Sequence, residues 1–198
     1  MATSHTILRL GRRDHGRPLT FDEFSSAQFD EPWRYERVGG RLIVMAPAGE
    51  DHIETSEPLR DYLGAYRLSH PDVVRRVASE AWIRIDEDQD RVADIAVYLQ
   101  GSNQTEPIPL RTPDLVFEVV TPGRRNERRD FVEKRAEYAR RGIREYVIID
   151  RSQARVLVLT LEGGTYQENT LRRNDLYTSP HLPGLAIPLA DVLPPRSE

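Results

Sequence analysis

Two apolar stretches of the chain, each with one acidic residue inside it, decide the fold: Val92-Ala93-Asp94-Ile95-Ala96-Val97 and Leu115-Val116-Phe117-Glu118-Val119-Val120. Runs of about four to eight residues that are rich in valine and isoleucine predict buried strands. A carboxylate inside such a strand is costly to bury unless it is paired or binds a metal. If the two strands are neighbours, their acids therefore favour a hard divalent cation between them.

The segments on either side predict further strands, helices and a hairpin. Gly39 and Gly40, between the strand-like runs 35–38 and 41–45, predict a two-residue hairpin turn near the N-terminus. Thr20 and Glu23 have the spacing of a capping box and predict the start of a short helix. We also expect a helix over 50–70, with Pro58 absorbed in or bending the first turn, and a helix over 126–141 that ends at Gly142. Further strands are predicted over 73–85, 143–150 and 155–161. The proline-rich tail, 179–198, is predicted to form irregular coil and a turn. This order predicts an α/β or α+β fold, with a mixed central sheet flanked by helices in a single domain over 1–198.

Composition excludes several classes of site. The 198-residue chain has no cysteine, which excludes disulfides, zinc knuckles, thiolate nucleophiles and iron–sulfur ligation. Its net charge of −4 argues against binding nucleic acid through bulk positive charge, so any such contact must be local. The N-terminal residues lack the apolar core of a signal peptide, and no apolar run is long enough to cross a membrane. We therefore expect a cytoplasmic protein without membrane association.

The basic side chains are unevenly distributed and almost all of one kind. Residues 120–145 hold nine basic and five acidic residues, so this segment is positive within an acidic chain. Lys134 is the single lysine beside 27 arginines, and helical spacing places it on the face of Phe131 and Tyr138 that should meet the sheet. The arginines just after the strand of Glu118 are predicted to contact phosphates, or else to form a solvated face: Arg124, Arg125, Arg128 and Arg129.

The two strand acids indicate a catalytic site only when they are considered together with the lysine that follows them in the chain. Either acid alone is better explained by a place at a strand end or by pairing with an arginine. As a pair, followed by a helix that directs a lone lysine inward, Asp94 and Glu118 favour metal-assisted phosphodiester hydrolysis. That reaction needs a cation to polarise the phosphoryl oxygen and a group to orient the attacking water. Lys134 supplies such a group, unless it only extends its ammonium to the surface.

These residues resemble a known bacterial family, the Uma-two family of restriction-endonuclease-like proteins, formerly a domain of unknown function, in the PD-(D/E)xK superfamily. The resemblance is carried, in order, by residues 19–21, Tyr35-Glu36, 40–47, His52, Asp94, 113–122, Asp130, Lys134, Tyr138, Gly142-Ile143, Glu145-Tyr146, Asp150 and 182–185. Each piece is weak by itself, but their order and spacing together are specific. The resemblance implies a restriction-endonuclease-like core, with Asp94 and Glu118 as metal ligands and Lys134 as the catalytic lysine.

The sequence departs from the family and superfamily patterns at two positions. Family members commonly have proline before the first aspartate, where this chain has Ala93; that residue shapes the strand and ligates nothing. The compact Glu-x-Lys of the superfamily would place lysine at position 120, which is Val120. The family supplies its lysine from the following helix instead, and Lys134 matches that pattern.

Two further residues are secondary candidates for the site. His52, at the opening of the long helix, is either a ligand or proton carrier or a capping or core residue. Glu36, on the first hairpin, is either a third acid for the metal or the partner of an arginine.

The leading functional hypothesis is a magnesium- or manganese-dependent endonuclease that acts on DNA as a homodimer, since symmetry-related sites can address two strands. The main alternative is a nuclease-derived nucleic-acid-binding or regulatory module without significant cleavage, against which the retained Asp94, Glu118 and Lys134 argue. A hydrolase of another phosphoester stays open.

Overall fold

The computed structural model describes residues 7–102 and 110–193. The strands are β1 (Arg9–Leu10), β2 (Gln28–Phe29), β3 (Arg34–Val38), β4 (Arg41–Met45), β5 (Val74–Asp86), β6 (Gln89–Leu99), β7 (Leu115–Val119), β8 (Glu145–Asp150), β9 (Arg155–Glu162), β10 (Thr165–Arg172), β11 (Leu176–Tyr177) and β12 (Ile187–Pro188). The helices are α1 (Phe21–Ser26), α2 (Glu50–Ser69), α3 (Arg124–Arg128), α4 (Lys134–Arg141) and α5 (Leu189–Val192), with a π-helical turn, Arg129–Glu133, between α3 and α4.

The described residues group into two compact units, and the chain passes from the first to the second and back. The first unit takes in 84–92 and the described part of 1–48; the second takes in 49–83 and the described part of 93–198. The expectation of a single domain over 1–198 stays a prediction beside this division. Among the described residues no helix is long and apolar enough to cross a membrane.

The second unit is a mixed sheet with helices packed on it. Its strands lie in the order β10-β9-β8-β7-β6, and β5 also pairs with β6. Strands β7 and β8 are parallel, whereas β6–β7, β8–β9 and β9–β10 are antiparallel. Apolar residues from α2, the sheet and the C-terminal segment form one core, which includes Leu63, Phe117 and Ile149. The mixed sheet flanked by helices confirms the predicted fold class.

The first unit contains the predicted hairpin. Strands β3 and β4 pair across Gly39 and Gly40, whose φ angles of 57° and 68° are those of a two-residue turn that glycine adopts without strain. Thr20 caps α1, and its side-chain oxygen accepts from the N–H of Glu23, as the capping box predicts. Strand β3 also pairs with the start of β6, where Arg37 lies opposite Asp90.

Three details of the elements differ from the sequence prediction. The long helix begins at Glu50, so Pro58 lies inside α2 rather than in its first turn. The helix predicted over 126–141 begins at Arg124 and is interrupted by the π-helical turn, although Gly142 ends it in the left-handed conformation as expected. The described part of the tail forms β12 and α5 in addition to coil, with β12 pairing with β11; residues 194–198 lie outside the described range.

The C-terminal segment is fixed to the sheet by a buried carboxylate. Glu145, at the start of β8, is fully buried and accepts hydrogen bonds from the hydroxyls of Tyr177 and Ser179. Burial raises the pKa of Glu145, an effect that these two donors oppose. Leu182 and Ile187, which follow in the same segment, are completely buried. The tail is therefore part of the core of the second unit.

Candidate active site

Asp94 and Glu118 face each other across two adjacent strands. The β6–β7 ladder pairs Ile95 with Phe117, so Asp94 and Glu118 lie across from each other one step beyond that pair. Residues opposite each other on neighbouring strands point to the same face of the sheet. The contact is close, since the main-chain N–H of Val119 donates to Oδ2 of Asp94 at 2.8 Å. Both acids are buried, with 7% and 3% of their surface exposed.

Lys134 and Tyr138 reach Glu118 from helix α4. The ammonium Nζ of Lys134 lies 2.7 Å from Oε1 of Glu118, and the Tyr138 hydroxyl donates to the same oxygen at 2.9 Å. Lys134 and Tyr138 stand four residues apart and therefore share one helix face, as the sequence predicts. Lys134 is 1% exposed, so it does not extend to the surface as the alternative reading required.

The π-helical turn sets which residues accompany Lys134 on the buried face. The N–H of Lys134 reaches the carbonyl of Arg129, five residues back, instead of the residue four back. Asp130 is 1% exposed on this face, and its Oδ1 lies 3.9 Å from Nζ of Lys134. Phe131, which helical spacing placed beside Lys134, is only half-buried, and the guanidinium of Arg155 lies over its ring.

His52 joins the cluster from the first turn of α2. Its Nε2 lies 3.2 Å from Oδ1 of Asp94. Its other ring nitrogen, Nδ1, is buried and has no hydrogen-bond partner among the described residues. A cleft of about 360 Å³ opens beside His52 and is lined by residues 49–52, residues 119–122 and Arg151. His52 thus lies between the buried acids and a space that a ligand could enter.

The electrostatics of the cluster centre on Glu118. Burial and the charges of Asp94 and Asp130 raise the pKa of Glu118 to about 7, although the ammonium of Lys134 opposes the rise. The nearby Tyr146 hydroxyl, which donates to the carbonyl of Asp130, has its pKa raised by burial and by the same acids. The acids of the site therefore repel one another in the absence of a further cation.

The donor set fits a magnesium-type ion held through two carboxylates. Both hydrogen bonds to Glu118 from described residues end on Oε1, so they leave the face of Oε2 to a cation. Within 7–102 and 110–193 there is no group of three or more His, Cys, Asp or Glu side chains arranged to hold a metal. Mg²⁺ commonly binds through one or two carboxylates and keeps several waters. The chemistry of Asp94 and Glu118 fits that mode and does not provide a closed cage of side chains.

Glu36 and the four arginines lie in other surroundings. Glu36 belongs to the first unit, where its Oε2 lies 2.9 Å from Nη1 of Arg91 and its Oε1 accepts from the N–H of Val92. Of the two roles predicted for Glu36, these contacts correspond to that of an arginine partner.

The four arginines predicted to contact phosphates differ in exposure. Three are exposed to solvent, whereas the Arg129 side chain is 22% exposed: the exposed ones are Arg124, Arg125 and Arg128.

Two residues of the cluster were not assigned a role from the sequence. Asp130 and Tyr138 were both noticed within the family resemblance, and Tyr138 also as a core aromatic beside Lys134. The spacing of four residues between Asp130, Lys134 and Tyr138 is the signal that points to both.

Comparison with known proteins agrees with this architecture. The model of the Uma2 family, described as "Putative restriction endonuclease", matches residues 21–190. Among solved structures, the chain is similar to "a putative nuclease belonging to DUF820" from Anabaena variabilis, with 17% sequence identity, a TM-score of 0.70, and coverage of 89% of this chain and 98% of that chain. No curated protein matches the sequence. The structural likeness confirms the restriction-endonuclease-like fold that the sequence predicts.

Proposed function

Because the chain belongs to the Uma2 family of restriction-endonuclease-like proteins, we propose that it is a metal-dependent endonuclease that hydrolyses phosphodiester bonds in DNA. One observation carries the proposal. Asp94 and Glu118 are two buried acids that face each other on adjacent strands, and the only lysine of the chain lies 2.7 Å from one of them. Burying three ionisable groups together is costly, and a fold that needed only stability would gain by replacing them with apolar residues.

The proposed reaction is attack of water on the phosphorus atom. A bond forms from the water oxygen to phosphorus and the bond to the leaving sugar oxygen breaks, while water releases one proton and the leaving oxygen takes one up. Asp94 and Glu118 would hold Mg²⁺ or Mn²⁺, which polarises the phosphoryl oxygen and acidifies water when it is bound. Lys134, through its ammonium, orients the attacking water or a phosphate oxygen, and Tyr138 fixes the carboxylate of Glu118.

The surroundings of the cluster supply places for the substrate. The cleft beside His52 leads toward the strand end that carries Glu118. The exposed arginines Arg124, Arg125 and Arg128 follow that strand and would contact the DNA backbone through charge. We expect a homodimer in solution, which sedimentation velocity at micromolar concentration will test.

A non-catalytic DNA-binding module is the second candidate function. It is favoured by the hydrogen bonds that Lys134 and Tyr138 make to Oε1 of Glu118, together with the lack of a three-ligand cluster among the described residues. Such a module would bind DNA with the same salt dependence and leave every substrate intact.

A cleavage panel tests the two candidates directly. Single-stranded, duplex and branched DNA and a matched RNA are incubated with the protein in Mg²⁺ or Mn²⁺, beside Asp94→Ala and a chelator control. We expect cleavage of DNA that requires the metal and is lost in Asp94→Ala. Binding without cleavage in every arm would assign the module function, and cleavage that survives in Asp94→Ala would exclude this site.

A further inference from the structure

The buried face of the π-helical turn carries an acid that the proposed reaction does not use. Asp130 is 1% exposed, and the proposed reaction assigns it neither to the metal nor to the attacking water. Its carboxylate instead binds two cationic side chains of its own helical segment. Burying a carboxylate is costly, so its contacts with these two cationic side chains suggest that it serves to fix their positions.

The contact with Arg129 is two-pronged. Nε of Arg129 lies 2.9 Å from Oδ1 of Asp130, and Nη2 lies 3.2 Å from Oδ2. Parallel hydrogen bonds of this kind fix the plane of the guanidinium as well as its distance. Arg129 therefore differs from Arg128, which is 75% exposed and pairs with the surface residue Glu133.

The contact with Lys134 links this pair to the strand acids. Nζ of Lys134 lies between two carboxylates, 2.7 Å from Oε1 of Glu118 and 3.9 Å from Oδ1 of Asp130. When a divalent cation binds Glu118, the attraction of that carboxylate for the ammonium falls, whereas the attraction of Asp130 for it persists. The charge of Asp130 thus keeps Lys134 in place in both states.

We propose that Asp130 is a positioning residue of the proposed nuclease site: it holds the Lys134 ammonium and the Arg129 guanidinium as two fixed cations beside Glu118. This rests on the proposed function for its effect on cleavage, but the coupling of Asp130 to Lys134 is a property of the protein alone. Arg129 then contacts the substrate phosphate as an ordered clamp, whereas Arg124, Arg125 and Arg128 act through mobile charge.

The first test reads the coupling without any substrate. Lys134 is the single lysine, so reductive methylation with ¹³C-formaldehyde labels one side-chain amine, distinguished by NMR from the α-amino group. We expect Asp130→Asn to label Lys134 several-fold faster than wild type in metal-free buffer, because the ammonium loses an anionic partner. The matched control is Asp114→Asn, a buried acid at the other end of β7 that lies 3.4 Å from Arg144. An unchanged labelling rate in Asp130→Asn, or an equal increase in Asp114→Asn, overturns the proposal.

The second test is a double-mutant cycle on single-turnover cleavage at saturating DNA. Asp130→Asn should lower the rate roughly 10- to 100-fold, the usual scale for residues that orient a reacting group, with little change in KM. In a Lys134→Ala background the same substitution should cost little more, because Asp130 acts largely through Lys134. Fully additive losses show a merely structural acid and overturn the proposal.

Two further arms keep the outcomes distinct. Asp130→Glu retains the charge on a longer side chain; it is expected to fold, to label slowly like wild type and to cleave at a rate between wild type and Asp130→Asn. A wild-type rate for both Asp130 variants overturns the positioning role. If the wild-type protein cleaves nothing, the proposed function fails, and the labelling arm alone decides whether Asp130 holds Lys134.

Discussion

At the scale of single residues, the charge of Glu118 is costly to the folded protein. Its pKa is raised from 4.5 to about 7, first by burial and then by Asp94 and Asp130. The folded protein therefore holds this proton more tightly than the unfolded chain does. The stability that this residue contributes is fully present below about pH 4.5 and is lost as the pH rises through about 7.

Glu118→Gln should remove the loss of stability that the wild-type protein shows as the pH rises. In metal-free buffer we expect the melting temperature of Glu118→Gln, relative to wild type, to rise between about pH 4.5 and 7 and then to level off. The control is Glu162→Gln, an exposed acid on β9 whose relative melting temperature should not change over this window. Calorimetry should also show that the variant has lost binding of Mg²⁺ and Mn²⁺. A pH-independent difference in melting temperature, or wild-type metal affinity, would contradict the account of Glu118.

Lys134→Arg should distinguish the effect of the positive charge at position 134 from the effect of the shape of the side chain. An ammonium is a compact charge, whereas a guanidinium is a wide planar fork that stays protonated. Tyr138 and Asp130 leave little space beside Glu118, so arginine would keep the attraction for phosphate and displace the water. We expect DNA binding within a few-fold of wild type and single-turnover cleavage lower by roughly 100-fold or more.

Circular dichroism and metal titration are the controls for that substitution, and Arg135→Lys, the reverse exchange on the half-exposed neighbour, is the matched variant. Comparable cleavage by wild type and Lys134→Arg would reduce Lys134 to a structural cation.

The sequence was sufficient to place the two acids and the lysine, and insufficient for the residues around them. Asp94 and Glu118 each interrupt an apolar strand, and a buried charge in such a place is visible without a structure. The contact between His52 and Asp94 joins residues 42 positions apart through the packing of α2, which no local pattern encodes. The spacing of four residues places Asp130 on the helix face of Lys134, but spacing alone does not distinguish a buried acid from a solvent-exposed one.

At the scale of elements, the helical segment 124–141 combines an exposed basic end with a buried end. Arg124 and Arg125 in α3 are exposed, while α4 buries Lys134 and Tyr138. The π-helical turn between them could not be predicted from the spacing of apolar residues, because it is defined by a main-chain hydrogen bond to the residue five positions back instead of four. The same periodicity did predict α4 and its glycine end, since those follow a regular helical repeat.

Replacing Arg124 and Arg125 together by alanine should weaken DNA binding for all sequences alike. Each phosphate contact releases counterions, so the slope of log affinity against log salt should flatten by roughly one to two units. Fluorescence anisotropy over a salt series measures it. Arg75 and Arg76, exposed at the start of β5, provide a control with the same loss of charge. An equal flattening in that control would assign the effect to net charge rather than to α3.

At the scale of the whole molecule, the C-terminal segment is a structural part of the second unit. Tyr177 and Ser179 both donate to the buried Glu145, and the residues that follow enter the core. The proline-rich composition of this tail predicted coil. The buried residues of the tail were not predicted because they are spaced irregularly between turns and follow neither a helical nor a strand period.

Tyr177→Phe tests how much the tail contributes to stability. The substitution leaves the ring in the core and removes one donor from a buried carboxylate, which should cost about 1–3 kcal/mol in the free energy of unfolding. Tyr62→Phe is the matched control, since the hydroxyl of Tyr62 donates to Asp191 at the surface. Urea unfolding followed by circular dichroism measures both. Equal losses in the two variants would show that burial of Glu145 does not set the strength of this contact.

The first unit is built from two separate parts of the chain. Arg37 and Glu36 on β3 form buried ion pairs with Asp90 and Arg91 at the start of β6. During synthesis at about 5–20 residues per second, the β3–β4 hairpin, which ends at Met45, leaves the ribosome roughly two to nine seconds before Asp90 and Arg91 do. For that interval its buried arginine and glutamate have no counter-ions and its strand edge is open to other chains. The hairpin is therefore exposed to pairing with other chains during that interval, and codon choice between positions 46 and 90 would set how long the interval lasts.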